Sequence, residues 1–192
     1  MKLIKGLIVV MAGLNTLACA ISPQYLKQDK CGLLQLTNGR NLYWPKYSFV
    51  HSDVDSNRFS EKEFRDTLKA AEFWQDKLHD NLMITVDYTP NPGDTKVIYV
   101  DEFDNKRMQG QTILGHYPDG TILDATIELN SALADHTDFY SLILHEMGHA
   151  LGIGHTDHAK SIMYPHLSSN HVRDDYTHDL DEPIECLLII YE

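Results

Sequence analysis

The run His145-Glu146-Met147-Gly148-His149-Ala150-Leu151-Gly152-Ile153-Gly154-His155 sets three imidazoles around one carboxylate within eleven residues. Residues four apart on an α-helix project from the same face, so His145 and His149 can place ring nitrogens on one ion. Glu146 lies one step round, where its carboxylate reaches a metal-bound water without taking a coordination position. Gly152 supplies the positive φ that ends a helix and turns the chain, bringing His155 back as third ligand. Three protein ligands leave a fourth tetrahedral position open, which separates a catalytic zinc from a structural one. The chemistry that follows is hydrolysis by a metal-activated water, with Glu146 as general base.

The pattern His-Glu-x-x-His-x-x-Gly-x-x-His is followed, eight residues after His155, by Met163 within Ser161-Ile162-Met163-Tyr164-Pro165. Together they resemble the signature and Met-turn of the metzincin zinc endopeptidases. The Met-Tyr-Pro sequence and the short gap are most similar to the matrixins, the matrix metalloproteinase family and its bacterial relatives. Thr156 stands directly after the third His, where adamalysins usually have Asp. The motifs cover residues 142–165, and the order of expected elements extends the likeness over most of the chain.

The resemblance implies an α+β domain: a twisted, mostly parallel sheet with an antiparallel edge strand, a long active-site helix, the Met-turn and a C-terminal helix. It implies one catalytic Zn2+, a protein or peptide substrate, and Met163 as an apolar floor beneath the histidines. It further implies that substrate pairs by β-augmentation along the strand of Ile127 and Leu129, with Tyr164, Pro165, His166 and Leu167 walling the adjacent pocket. Calcium could bind Asp101-Glu102-Phe103-Asp104-Asn105, although that spacing equally suits a solvated acidic turn. His116, with Asp119 and Asp124, falls where matrixins commonly place structural ions. His51, His79, His136, His158, His171 and His178 carry no pattern that points to a ligand. Two other classes compete: a catalytically silent zinc-binding recognition module, disfavoured by the presence of Glu146 and all three histidines, and a non-proteolytic zinc hydrolase such as an amidase or deaminase.

At 192 residues the chain suits one domain able to bury a core. Lys2 and Lys5 precede an apolar stretch from Leu7 to about Leu17, and small residues follow at Ala18 and Ala20. This is the layout of a secretory signal peptide over residues 1–20, with an apolar part too short for a membrane span. Ala18-Cys19-Ala20 fits a small-x-small cleavage site, whereas Leu17-Ala18-Cys19 resembles a lipoprotein box that would end the signal at residue 18 and lipidate Cys19. The protein is expected to be secreted, periplasmic or anchored as an outer-membrane lipoprotein, and monomeric. Without residues 1–20 the chain keeps 14 basic and 28 acidic residues, a net charge of −14, which disfavours nucleic acid as a partner.

Cys31 and Cys186 then remain as an even pair in an exported protein. A disulfide between them would tie the N-terminal lead-in to the C-terminal helix, with a nominal stabilisation of about 2–5 kcal/mol. The competing reading is that Lys30-Cys31-Gly32 resembles the matrixin cysteine switch, in which a thiolate caps the zinc; the flanking Pro-Arg and Val-Pro-Asp of that switch are absent.

The elements that must position these residues follow from periodicity. Residues 21–45 read as an extended lead-in, and the catalytic domain as 46–192. Tyr47 to His51 is a first strand. Ser60-Glu61-Lys62-Glu63 is a capping box opening a helix with Phe64, Leu68, Ala71, Trp74 and Leu78 on one face. Alternation predicts a strand at Leu82 to Tyr88, further strands are read at Val97 to Val100 and Ala125 to Leu129, and the resemblance implies that the last is the antiparallel edge. Gly110 through Gly120 reads as a loop ending in a Tyr117-Pro118-Asp119-Gly120 turn. The active-site helix runs from Thr137 or Asp138 to about Leu151, and Asp179 to Tyr191 is a closing helix with Pro183 in its first turn.

Overall fold

A computed structural model describes residues 18–21, 27–79, 81–93, 95–101, 103, 108–136, 138–158, 161–165 and 181–191. Most of the signal stretch, and His166, Leu167, His171 and His178, therefore lie outside the described residues. In chain order the strands are β1 Ala18–Ile21, β2 Lys27–Gln28, β3 Leu34–Gln35, β4 Ser48–Asp55, β5 Leu82–Thr89, β6 Lys96–Val100, β7 Met108–His116 and β8 Ile122–Asn130. The helices are α1 Glu61–Lys77, α2 Phe139–Ala150 and α3 Asp181–Tyr191.

The main sheet has the order β1-β7-β8-β6-β4-β5. Pairings β4–β5, β4–β6 and β6–β8 are parallel, and β7 runs antiparallel to β8. The mostly parallel α+β architecture expected from the motif is thus the fold. β1, from the end of the signal-like stretch, adds in parallel to the outer side of β7. Among the described residues, no helix is long and apolar enough to cross a membrane.

Two expectations are corrected. Residues 108–116 form β7 rather than a loop, and this strand, not β8, is the antiparallel one. Two glycines within this strand are required by packing: a Cβ on Gly110 would lie 2.7 Å from Glu146 Oε1, and one on Gly115 would lie 2.5 Å from Asp124 Oδ2. β8 is paired on both sides, and its Ile127 and Leu129 are buried in the core, so neither offers an edge to substrate. The first strand begins at Ser48 and extends to Asp55, because Tyr47 has a positive φ of 62° that leaves the extended region.

α1 starts as the capping box predicts: Ser60 Oγ accepts the Glu63 N–H, and Glu63 Oε2 accepts the Ser60 N–H at 2.7 Å. Its inner face buries Ala70, Ala71 and Trp74, and the Trp74 indole N–H donates to the Leu144 carbonyl of α2 at 2.9 Å. On the other side of α2, the Trp44 indole donates to the Ala150 carbonyl at 2.8 Å. Two indoles from outside therefore fix the rotation of the helix that carries His145, Glu146 and His149. Asp138 caps the start of α2, and α3 occupies the end of the chain with Leu187 and Tyr191 buried.

The capping box gives a direct check on how α1 is held. Ser60→Ala should cost about 1 kcal/mol, a Tm decrease of about 2–4 °C in thermal denaturation; an unchanged Tm would remove the box from the account of the fold.

Candidate metal centre and active site

The three histidines meet. His149 Nε2 lies 3.0 Å from His145 Nε2 and 3.1 Å from His155 Nε2, with His145 and His149 fully buried and His155 partly so. The opposite nitrogens explain the orientation. His145 Nδ1 sits 2.5 Å from the Ile162 carbonyl oxygen, and His149 Nδ1 sits 2.7 Å from that of Ile153. A carbonyl oxygen only accepts, so both Nδ1 atoms carry the proton and both Nε2 atoms present lone pairs.

Lone pairs aimed at one another across about 3 Å repel unless a cation lies among them. Burial, reinforced by the neighbouring rings of His145 and His155, holds the His149 pKa well below the ordinary imidazole value. The donor set thus fits a tetrahedral divalent metal, with three neutral imidazoles facing inward. The residues that would hold zinc are His145, His149 and His155.

Glu146 is fully buried against β7. The Thr112 hydroxyl lies 2.7 Å from its Oε2 and 3.0 Å from its backbone carbonyl oxygen, while Gly110 provides the room its carboxylate occupies. The sequence reading found Glu146 but not Thr112, because the contact depends on a strand that read as a loop.

The turn after α2 forms as expected: Leu151 is its C-cap, Gly152 takes φ +95°, and His155 returns to the other two rings. Met163 is 1% exposed and lies under the helix at Gly148, where a Cβ would come within 2.4 Å of its sulfur. The turn around it is closed by Tyr164 N–H to Ser161 O at 3.1 Å and by Met163 N–H to Ser161 Oγ at 3.1 Å. Tyr164 and Pro165 follow it, half-buried.

Cys31 and Cys186 are joined in a disulfide, with Cα atoms 6.2 Å apart, so Cys31 has no free thiolate to offer a metal and the switch reading does not apply to this state. Asp101 is engaged by Arg58 and by the Ser131 hydroxyl, and its pKa is lowered chiefly by the Arg58 hydrogen bond. Among the described residues, His116, Asp119 and Asp124 form no group able to hold a metal. His51 is different: its Nε2 lies 3.4 Å from Asp53 and 3.5 Å from Asp87 on β4 and β5, and among the described residues these three form a second, more exposed group whose donor atoms could hold an ion.

The family model described as Matrixin matches residues 46–182. A plant protein, "Metalloendoproteinase 2-MMP" of Arabidopsis thaliana, is 37% identical over 65 residues, which is 34% of this chain and 16% of that protein. The chain thus spans about one sixth of that relative's length.

Gly148 is a point of close packing between α2, Met163 and Trp74. Gly148→Ala should destabilise the fold by about 1–3 kcal/mol through overpacking against Met163 and Trp74, read as a lower denaturation midpoint; a neutral result would mean that Met163 is not locked beneath the helix.

Proposed function

This chain belongs to the matrixin family, and from that premise we propose that it is a zinc-dependent endopeptidase that hydrolyses peptide bonds in proteins. The observation that carries the reading is the convergence of three Nε2 atoms beside the buried carboxylate of Glu146.

Bound zinc supplies a water of lowered pKa and a positive charge that polarises the scissile carbonyl. Glu146 takes the proton from the attacking water and delivers it to the departing amine nitrogen. Thr112 holds the Glu146 carboxylate at Oε2, which saves that side chain from searching rotamers at each turnover. His145 and His149 keep fixed tautomers through the Ile162 and Ile153 carbonyls.

Substrate pairing is assigned to the outer side of β7, the side that β1 occupies here and that removal of residues 1–20 would open, in place of Ile127 and Leu129. That edge receives an extended segment in this structure, with Ala20 opposite Gln111 and Ile21 opposite Thr112, and β7 carries the two residues that hold Glu146. Tyr164 and Pro165, following Met163, are assigned to the pocket wall. Export rests on the signal-like layout of residues 1–20, with lipidation of Cys19 as its variant. The net acidity favours neutral or basic peptides.

The direct experiment combines zinc analysis of the protein with a quenched-peptide library, with and without chelator. One zinc per chain and hydrolysis abolished by chelation are expected; zinc without cleavage of any peptide would replace the enzyme by a binding module. Glu146→Ala should keep zinc and fold while kcat falls by about two to four orders of magnitude, and near-normal turnover in the metal-replete variant would exclude Glu146 as the base. Thr112→Val should lower kcat by about tenfold or more, in line with about 1.5–3 kcal/mol for a hydrogen bond to a charged group. Its zinc content should be unchanged and Thr112→Ser should restore the rate; equal kcat in all three proteins would reduce Thr112 to packing.

A further inference from the structure

The third zinc ligand stands outside α2, on a loop that the helix end holds only as far as Ile153, whose N–H donates to the Gly148 carbonyl at 3.0 Å. Residues 152–154 are gripped by the lead-in segment, which runs antiparallel beside them. The Leu34 N–H donates to the Gly152 carbonyl at 2.8 Å, Leu33 bridges Ile153, and the Gly154 N–H donates to the Gly32 carbonyl at 2.7 Å. Leu33 and Ile153 are both fully buried. The residue immediately before Gly32 is Cys31, bonded to Cys186 of α3. Asp29 finishes the grip: its Oδ1 accepts the N–H groups of Cys31 and Leu33, each at 2.9 Å, and its Oδ2 accepts the Asn41 amide at 2.9 Å.

The gripped loop serves two ligands at once. It ends at His155, and its Ile153 carbonyl is the acceptor that orients His149. Any freedom gained by Gly32 to Leu34 is therefore passed to two of the three nitrogens that face the metal. Three-residue pairings of this kind are weak alone, since a short two-stranded ribbon is marginal in water. The covalent bond at Cys31 removes that weakness by anchoring one strand of the ribbon to a helix packed in the core.

We propose that the Cys31–Cys186 disulfide, acting through Gly32 to Leu34, is a positioning element of the zinc site that sets how tightly His155 and His149 hold the metal. The bond is thereby more than a tether that lowers the entropy of the unfolded chain. The proposal rests on the zinc-site reading above and assigns that site a dependence on an oxidised cystine.

The test is zinc release from the zinc-loaded protein into an excess of a chromogenic chelator at 25 °C. It compares wild type, the double variant Cys31→Ser/Cys186→Ser, and Asp29→Ala, which keeps the disulfide but loosens the turn. The expected result is release faster by roughly 10- to 100-fold in the double variant, the range found when groups supporting metal ligands are lost, with a smaller increase in Asp29→Ala. Near-UV circular dichroism of the buried Trp44 and Trp74 reports whether each variant is folded, and the Co2+-substituted proteins report ligand geometry through their d–d bands. A purely stabilising disulfide would lower Tm while leaving release at 25 °C and the Co2+ spectrum unchanged, and that outcome overturns the proposal while the zinc-site reading stands. A wild-type protein that retains no zinc overturns both. If the double variant does not fold, Asp29→Ala decides: release equal to wild type overturns the proposal, and faster release from a folded protein supports it.

Discussion

Two hydrogen bonds from imidazole Nδ1 to backbone carbonyl oxygens, His145 to Ile162 and His149 to Ile153, are the constraint on which the site depends. Each fixes a tautomer, and each fixes a ring plane. Neither acceptor belongs to the helix that carries the ring: one sits in the methionine-containing turn, the other in the loop beyond Gly152. The helix therefore supplies the donors of the metal site only after two separate loops have been put in place. This explains why so much of the chain, from the lead-in at Gly32 to α3, is committed to packing around residues 152–163.

Close approach is the second requirement, and glycine is how the sequence meets it. At Gly148 the methionine sulfur and the Trp74 ring lie against the helix backbone, and at Gly110 the Glu146 carboxylate lies against β7. A methyl group at either place would push a functional side chain out of its position. Gly152 is needed for a different reason, its φ of +95°, with its own backbone pressed against the Leu42 carbonyl.

How much of this could be read from the sequence follows from the range of the interactions. The helix carrying His145, Glu146 and His149, the Gly152 turn, Met163 and the capping box at Ser60 are local patterns, and each formed where its spacing placed it. The strand at residues 108–116 was hidden because Gly110 and Gly115 look like loop residues when their tertiary neighbours, Glu146 and Asp124, are out of sight. That omission displaced the antiparallel strand onto Ile127 and Leu129, which turned out to be core. Thr112 and the Ile162 acceptor carbonyl were equally invisible, since 34 and 17 positions separate Thr112 from Glu146 and His145 from Ile162. The disulfide partners were legible by counting, but the reason for the bond was not, because it lies in pairings between residues 32–34 and 152–154.

The two halves of the chemistry are held from opposite sides. The Glu146 carboxylate is held from the sheet, by Thr112 and Gly110 of β7, whereas His149 and His155 are held from the loop side, through the segment anchored at Cys31. The supports share α2 but no other element. The two supports meet only in α2, so this helix is where the position of the carboxylate and that of the imidazoles are set against each other.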